Sequence, residues 1–448
     1  MIPAEIRSWN GVTKASSELW GADSLRGRFA RGAVWSLIGA FISQGSNLAA
    51  SVVTARLLGR ERFGEYGMIQ STVGMLGILA GLGLGVTATK YVAELRTRDP
   101  ARAGRIIALG CAVAIAAGGL LALGLVAYAP LLAAKTLNAP ALAGELRIAS
   151  VVLFFNAING AQTGALSGFE AFRSIARINL ARGLVTFPIT VGFVLLWRLP
   201  GAVWALAVAA AVTCLLSQFS LRQHCASLGI RPRFSSAWWE RRVLWTFSTP
   251  AFLCGAISGP VTWAANTMLV NRPGGYAEMG VFSAAGQWRT AIGFIPGILA
   301  QFALPLLSNL HGERDASRYG KALRWNLILT AAAATALAVP VALGAPEIMR
   351  LYGRSFQQGW PVLVLSAITS VIACVNGVVG TAIISGGSVW AGFAFNGLWS
   401  AVFLVCCYCF IPTNLALGLA GSMLCAYIAH AVWQAVYLQH RLSRSQAT

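Results

Sequence analysis

Apolar runs of about 20 residues, each ended by Gly, Pro or charge, recur along the whole chain, and each is long enough to cross a bilayer as a helix. Twelve can be placed, near residues 33–55, 65–89, 106–128, 146–168, 179–197, 202–221, 243–270, 281–306, 325–345, 360–384, 389–410 and 416–438. Several carry polar residues at helical spacing. Span one has Ser36, Ser43, Asn47, Ser51 and Thr54 close to one face, and span four has Asn156, Asn159, Thr163 and Ser167. Span seven has Gly255, Ser258, Thr262 and Asn266, and span ten has Ser366, Thr369, Asn376 and Gly380. Such stripes have two readings: hydrogen bonds that join helices, or contacts to a polar cargo. Asn47, Asn156, Asn159, Asn266 and Asn376 are therefore candidate substrate contacts, with the joining role standing beside that one.

The eighth span, VFSAAGQWRTAIGFIPGILAQFALP, carries one full charge, Arg289, well inside it. A charge at that depth costs about 2.5–3.5 kcal/mol on insertion scales, and such residues face a protein interior or a water-filled path. On a helical wheel Arg289 shares its face with Ala285, Gly286, Gly293, Pro296 and Ala300, so another backbone, water or a ligand can approach it. Trp288, Phe294, Ile295 and Phe302 lie to the sides or behind. Gln287, two positions before Arg289, joins the candidate set. Holding the bundle together by pairing with a carbonyl is the plainer role for the arginine.

The two halves of the pattern repeat. Phe63-Gly64-Glu65-Tyr66 matches Met279-Gly280-Val281-Phe282 at an offset of 216 residues; Ala129-Pro130 matches Ala345-Pro346, and Arg56 matches Arg272, at the same offset. Ser167-Gly168 with Ser385-Gly386, Asn179 with Asn396 and Gly201 with Gly418 follow at 217 or 218. An even number of spans per half makes this a parallel repeat, and transporters built so place the substrate path between the halves. The expected organisation is an N-terminal tail (1–31), a six-helix bundle (32–221), a basic linker (222–242), a second six-helix bundle (243–439) and a short tail (440–448). The linker, with Pro232 and Trp238-Trp239, suits a helix lying along the headgroups. Arg56 and Arg272, which end the repeat-related spans one and seven, are candidate substrate contacts or interfacial snorkelling residues. The partner position of Arg289 is Val73, so the expected cavity is lopsided, with its cation supplied by the second half.

Composition agrees with a polytopic membrane protein: 57% apolar residues, 11% charged and a mean hydropathy of +0.67, against about 25% charged in soluble domains. Net charge +20 is not a nucleic-acid signature here, because the arginines alternate between loops. The tails, the loops containing Arg96–Arg105, Arg222–Arg242 and Arg314–Arg324, and the residues Arg173, Arg177 and Arg182 share one side. By the positive-inside rule that side, with both termini, is cytoplasmic. Residues 1–31 lack the apolar core of a cleavable signal, so the first span is the expected targeting signal. All 14 acids fall in tails, loops or span ends, which disfavours organic-cation cargo and points to an anionic one such as a phosphate or pyrophosphate. The nine cysteines form no CxxC pair, and no cofactor motif, phosphate loop, HExxH or GxSxG is present, so no enzymatic chemistry and no cofactor is expected. His430, the one histidine inside a span, fits hydrogen-bonded packing better than a proton relay.

Residues 54–71, TARLLGRERFGEYGMIQS, resemble the first outer connection of the Wzx-type polysaccharide flippases, of the multidrug/oligosaccharidyl-lipid/polysaccharide exporter superfamily. So do GVFSAAGQWRTAIGFIPG (280–297), APEIMRLYGRSFQQGWP (345–361) and LSGFEAFRSIARIN (166–179). The resemblance covers residues 30–438. It implies an all-α membrane protein, a V-shaped pair of six-helix bundles around a central cavity. It also implies movement of an undecaprenyl-pyrophosphate-linked oligosaccharide between leaflets by alternating access, for surface polysaccharide synthesis. Arg289 sits where such proteins use cavity cations toward pyrophosphate or acidic sugars. The implied partners are the lipid-linked substrate, membrane lipids and, further out, a polysaccharide polymerase and chain-length proteins. The alternative is an ion-coupled small-molecule exporter of the same superfamily, although its usual intramembrane acids are missing.

Overall fold

The computed structural model describes residues 25–312, 316–385 and 389–447 and contains no strand among them. Residues 1–24 of the expected tail, Gly386 of the repeat, and the side chains of Ser36, Gly255, Ala300 and Phe302 lie outside the described set. The helices are α1 Leu25–Leu58, α2 Arg60–Gly81, α3 Leu84–Leu95, α4 Pro100–Leu131, α5 Ala143–Gly168 and α6 Phe172–Ser227. After the linker come α7 Thr249–Ala256, α8 Ser258–Val270, α9 Gly275–Gly312, α10 Ala316–Leu343, α11 Ala345–Tyr352, α12 Trp360–Ser385 and α13 Val389–Ala447.

Among the described residues six helical stretches qualify by length and composition to cross a membrane, and the bent pair α2–α3 makes a seventh. Two of the six, α6 and α13, are double-length. Each is broken by one residue with a left-handed φ, Arg198 (φ 56°) and Leu415 (φ 46°), so each holds two spans. With α1, the α7–α8 stretch and α9, the pattern accommodates the twelve expected spans. Those two breaks lie 217 residues apart, so the repeat seen in sequence is a repeat of backbone shape.

The halves meet where α2 crosses α9. A Cβ on Gly64 would lie 1.8 Å from the Tyr276 carbonyl oxygen, and one on Gly280 would lie 2.1 Å from that of Arg60. Adding 216 converts 60 to 276 and 64 to 280, so the two contacts exchange under the repeat. That is the signature of a two-fold relation between parallel halves. Gly67 faces Ser283, its own equivalent, and so marks the pseudo-axis. Only glycine lets two backbones come this close.

The main core cluster spans both halves and includes Phe63, Met68, Leu146, Phe282, Tyr352 and Phe356. Phe63 packs against Tyr352 and Phe356 with ring centroids 6.3 and 6.0 Å apart, on the face opposite the termini. Such pairs add about 0.5–1.5 kcal/mol beyond the area they bury.

Two boundaries differ from expectation. Helix α1 begins at Leu25, inside the predicted tail. The linker is not an in-plane helix: α6 runs to Ser227, Gly229 takes φ 66°, Pro232 follows, and order resumes as one tight turn, Ala237–Glu240. Glu240 explains the path. Its carboxylate accepts from Arg102 Nε at 3.1 Å and Arg105 Nη2 at 3.0 Å, which draws the segment onto the start of α4.

Candidate functional site

A polar cavity of about 430 Å³ lies at the junction of the halves. The stripe on α1 supplies one wall: Ser43, Asn47, Ser51 and Thr54 line it together with Gln44. Tyr66 and Gln70 come from α2, and Gln287, Thr290 and Phe294 from α9. The fourth wall is α6, through Asn179, Arg182, Thr186 and Thr190. Their steps of three, four and four keep them on one helix face. Gly183, whose added Cβ would lie 2.8 Å from the Ser43 Cα, lets α1 and α6 close up behind that face.

Arg182, which the sequence groups with Arg173 and Arg177 among the basic residues of the terminal side, lines this cavity, three turns into α6. Its side chain is open to the cavity and has no ion-pair or hydrogen-bond partner among the described residues. The expectation that only the second half supplies a cation is therefore corrected.

Arg289 lies on another face of α9 and opens into a second cavity, of about 560 Å³. Ser71 and Met75 of α2, Thr262 of α8, Ser370 and Cys374 of α12 and Trp399, Met423 and Tyr427 of α13 share that space. Nη1 of Arg289 donates to the Met423 sulfur, a weak acceptor, so its charge stays largely uncompensated. Helix α9 is thus a wall between two arginine-bearing cavities, with Gln287 and Thr290 on one side and Arg289 and Gly293 on the other. Neither lining contains an acid among the described residues.

The other sequence candidates separate. Asn47 and Gln287 join Arg182 in the first cavity. Asn266 is buried and its Nδ2 donates to Ser71 Oγ at 2.9 Å, between α8 and α2. Asn159 Oδ1 accepts from Ser217 Oγ at 2.9 Å, and Asn376 Nδ2 donates to the Tyr427 carbonyl at 2.9 Å, so both join helices. Asn156 is exposed and lines neither cavity. Arg56 and Arg272 are exposed on the face opposite the termini, outside both cavities. There Arg56 Nε donates to the Leu351 carbonyl of the other half.

That face carries further ties between the halves. Arg60 pairs with Glu278 and donates to the Ala277 carbonyl at 3.0 Å and the Ser355 carbonyl at 3.3 Å. Tyr276 Oη donates to the Leu137 carbonyl and Asn271 Nδ2 to the Thr136 carbonyl, both at 2.8 Å. Nearer the termini, Phe41 meets Phe294 edge-on at 6.2 Å, and the Thr87 and Ser248 hydroxyls lie 2.7 Å apart.

Two helix bundles related by a parallel repeat, with a polar cavity at their junction and an arginine-bearing, mainly apolar one beside it, define a membrane protein of transporter architecture. Residues 29–311 match the family described as polysaccharide biosynthesis protein, and the chain belongs to that family. It is 25% identical to the EPS I polysaccharide export inner membrane protein EpsE of Ralstonia nicotianae, over 93% of this chain and 95% of that one. EpsE of Ralstonia solanacearum is 23% identical over 92% and 94%. Among solved structures, an inward-facing multidrug resistance MATE family transporter of the MOP superfamily superposes with a TM-score of 0.77, at 16% identity over 93% of this chain and 99% of that one. The lipid II flippase MurJ in an inward closed conformation gives 0.70, at 12% identity over 91% and 87%. These likenesses establish the fold that the resemblance to Wzx-type flippases implied.

Proposed function

We propose that the protein moves an undecaprenyl-pyrophosphate-linked oligosaccharide across the bacterial inner membrane by alternating access, as a step in surface polysaccharide synthesis. The observation that carries this reading is Arg182, a guanidinium with no partner among the described residues, in a polar cavity at the junction of the halves. Such a group has a planar fork of donors matched to phosphate oxygens. The hydroxyls and amides of α1, with Gln287, offer the mixed donors and acceptors that sugar hydroxyls need. Arg289 would bind anionic groups in the adjoining cavity, and the polyprenyl tail would stay in lipid.

The inter-half ties of Arg56, Arg60, Asn271 and Tyr276 lie on the face opposite the termini, which fits a state closed on that side, while Thr87–Ser248 and the contacts of Lys90 and Tyr91 with Phe247 join the halves nearer the termini. The basic loops make the termini cytoplasmic in this reading. The chain acts without enzymatic chemistry, receives its substrate from glycan-assembling enzymes and hands it to a polymerase with its chain-length proteins. The absence of an acid among the described residues lining the cavity disfavours the alternative, an ion-coupled small-molecule exporter, which relies on intramembrane acids.

The test is export in a deletion strain complemented with Arg182→Ala or Arg289→Ala. Both variants are expected to reach wild-type levels in the membrane while surface polysaccharide falls at least tenfold and lipid-linked glycan accumulates. Normal polysaccharide with both variants would sink the assignment.

A further inference from the structure

A third cavity, of about 580 Å³, lies away from the transport path, between α4, the second half of α6 and the linker. Helix α4 and this part of α6 both pack on α5, leaving a gap that the linker crosses near the termini. The deep side of the gap is apolar: Ile107 and Cys111 on α4, Leu221 and Cys225 on α6. Its mouth carries Arg222 and Arg231, both exposed and without a carboxylate partner among the described residues. The nearby acid, Glu240, is already engaged by Arg102 and Arg105. Gln218 also lines the pocket; its carbonyl accepts from Gln162, which leaves its amide nitrogen as a further donor. Beyond the pocket, exposed Ile115 and Leu215 continue the apolar surface toward mid-membrane. Beside it, Trp238, Trp239 and Trp245 are 60%, 80% and 75% exposed, as indoles at a headgroup layer are.

Cations above and hydrocarbon below are the two ends of one kind of molecule. We propose that this pocket binds the headgroup phosphate of an anionic glycerophospholipid from the leaflet on the side of the termini. Arg222 and Arg231 grip the phosphate, and an acyl chain lies in the α4–α6 gap. The occupant is a glycerophospholipid because a cationic mouth selects for negative headgroups, which are abundant in such a leaflet. The proposal needs only the membrane-spanning fold, so it stands or falls separately from the reading of the central cavities.

The experiment is native mass spectrometry of the full-length protein in detergent, titrated with phosphatidylglycerol or phosphatidylcholine of matched chains. Wild type should retain phosphatidylglycerol at least about fivefold more than phosphatidylcholine, the scale set by one arginine at a charged surface. The R222A/R231A double variant should lose that preference, while R233A/R241A keeps it. Equal retention of the two lipids by wild type, or an unchanged preference in R222A/R231A, would overturn the proposal. If R222A/R231A does not fold, wild-type hydrogen exchange decides instead. Phosphatidylglycerol should slow exchange over residues 228–236 and phosphatidylcholine should not; no difference between them overturns the site. Millimolar inorganic phosphate should leave the lipid bound. Displacement by undecaprenyl phosphate at one tenth of the phosphatidylglycerol concentration would overturn the assignment, making the pocket a site for the polyprenyl carrier.

Discussion

A guanidinium within a membrane-spanning helix and without a carboxylate partner among the described residues is a standing cost, and both Arg182 and Arg289 carry it. The two differ in how readable they are. Arg289 stands alone in apolar sequence, so its depth is plain; Arg182, near the start of span five, follows Arg173 and Arg177 and looks like one more basic residue marking the cytoplasmic end. A signal for it does exist in the helical register of Asn179, Arg182, Thr186 and Thr190. Charge conservation alone should not suffice at Arg182 if a planar fork is needed: Arg182→Lys is expected to keep less than about a tenth of wild-type export, a loss of at least 1.4 kcal/mol, at unchanged protein level. Export assays with immunoblotting of membranes check this. The asparagines behave differently. Asn376 ties α12 to the Tyr427 carbonyl, so Asn376→Ala is expected to cost about 0.6–1.7 kcal/mol of stability, seen as a lower unfolding temperature in detergent, with cargo preference unchanged. Sequence spacing shows that an amide lies on a helix face; it does not show whether another helix already occupies that face.

At the scale of elements, the helices and their breaks were legible because apolar length and the repeat offset are local and periodic. The sequence breaks between spans five and six and between eleven and twelve fall at Arg198 and Leu415, where the backbone turns. The linker was not legible. Its course depends on Glu240 meeting Arg102 and Arg105, residues 138 and 135 positions away. The α2–α9 crossing depends on two glycines with no room for a side chain. Gly64→Leu or Gly280→Leu should prevent the halves from docking, giving little monodisperse protein by size-exclusion chromatography. The same change at Gly297, which has open space around it, should leave the yield within about twofold of wild type.

For the whole molecule, the two-bundle architecture could be read from the repeat, whereas the ties that set its present state could not. Arg60 and Glu278 lie 218 residues apart, and nothing in either neighbourhood marks them as partners. Their pair is about three-quarters shielded, with side-chain exposures of 22% and 25%, and it sits beside the Ala277 and Ser355 carbonyls that Arg60 also holds. Arg60→Ala should loosen the face opposite the termini, raising amide hydrogen exchange at residues 351–356 about fivefold, the equivalent of about 1 kcal/mol. An unchanged exchange rate there would mean that the remaining ties, the Arg56–Leu351 hydrogen bond and the aromatic cluster of Phe63, Tyr352 and Phe356 among them, hold this face without Arg60.

The crossing also bears on whether the halves are still interchangeable. Gly67 and Ser283 occupy the same place in the two repeats and face each other across the pseudo-axis. A pair built from two first halves would set glycine against glycine there and leave a gap. A pair built from two second halves would set serine against serine, where a Cβ added at position 67 would lie 2.0 Å from the Ser283 hydroxyl oxygen. Each half thus fits the other better than it would fit a copy of itself, and this residue pair, small on one side and hydroxylated on the other, favours the mixed assembly over either self-assembly.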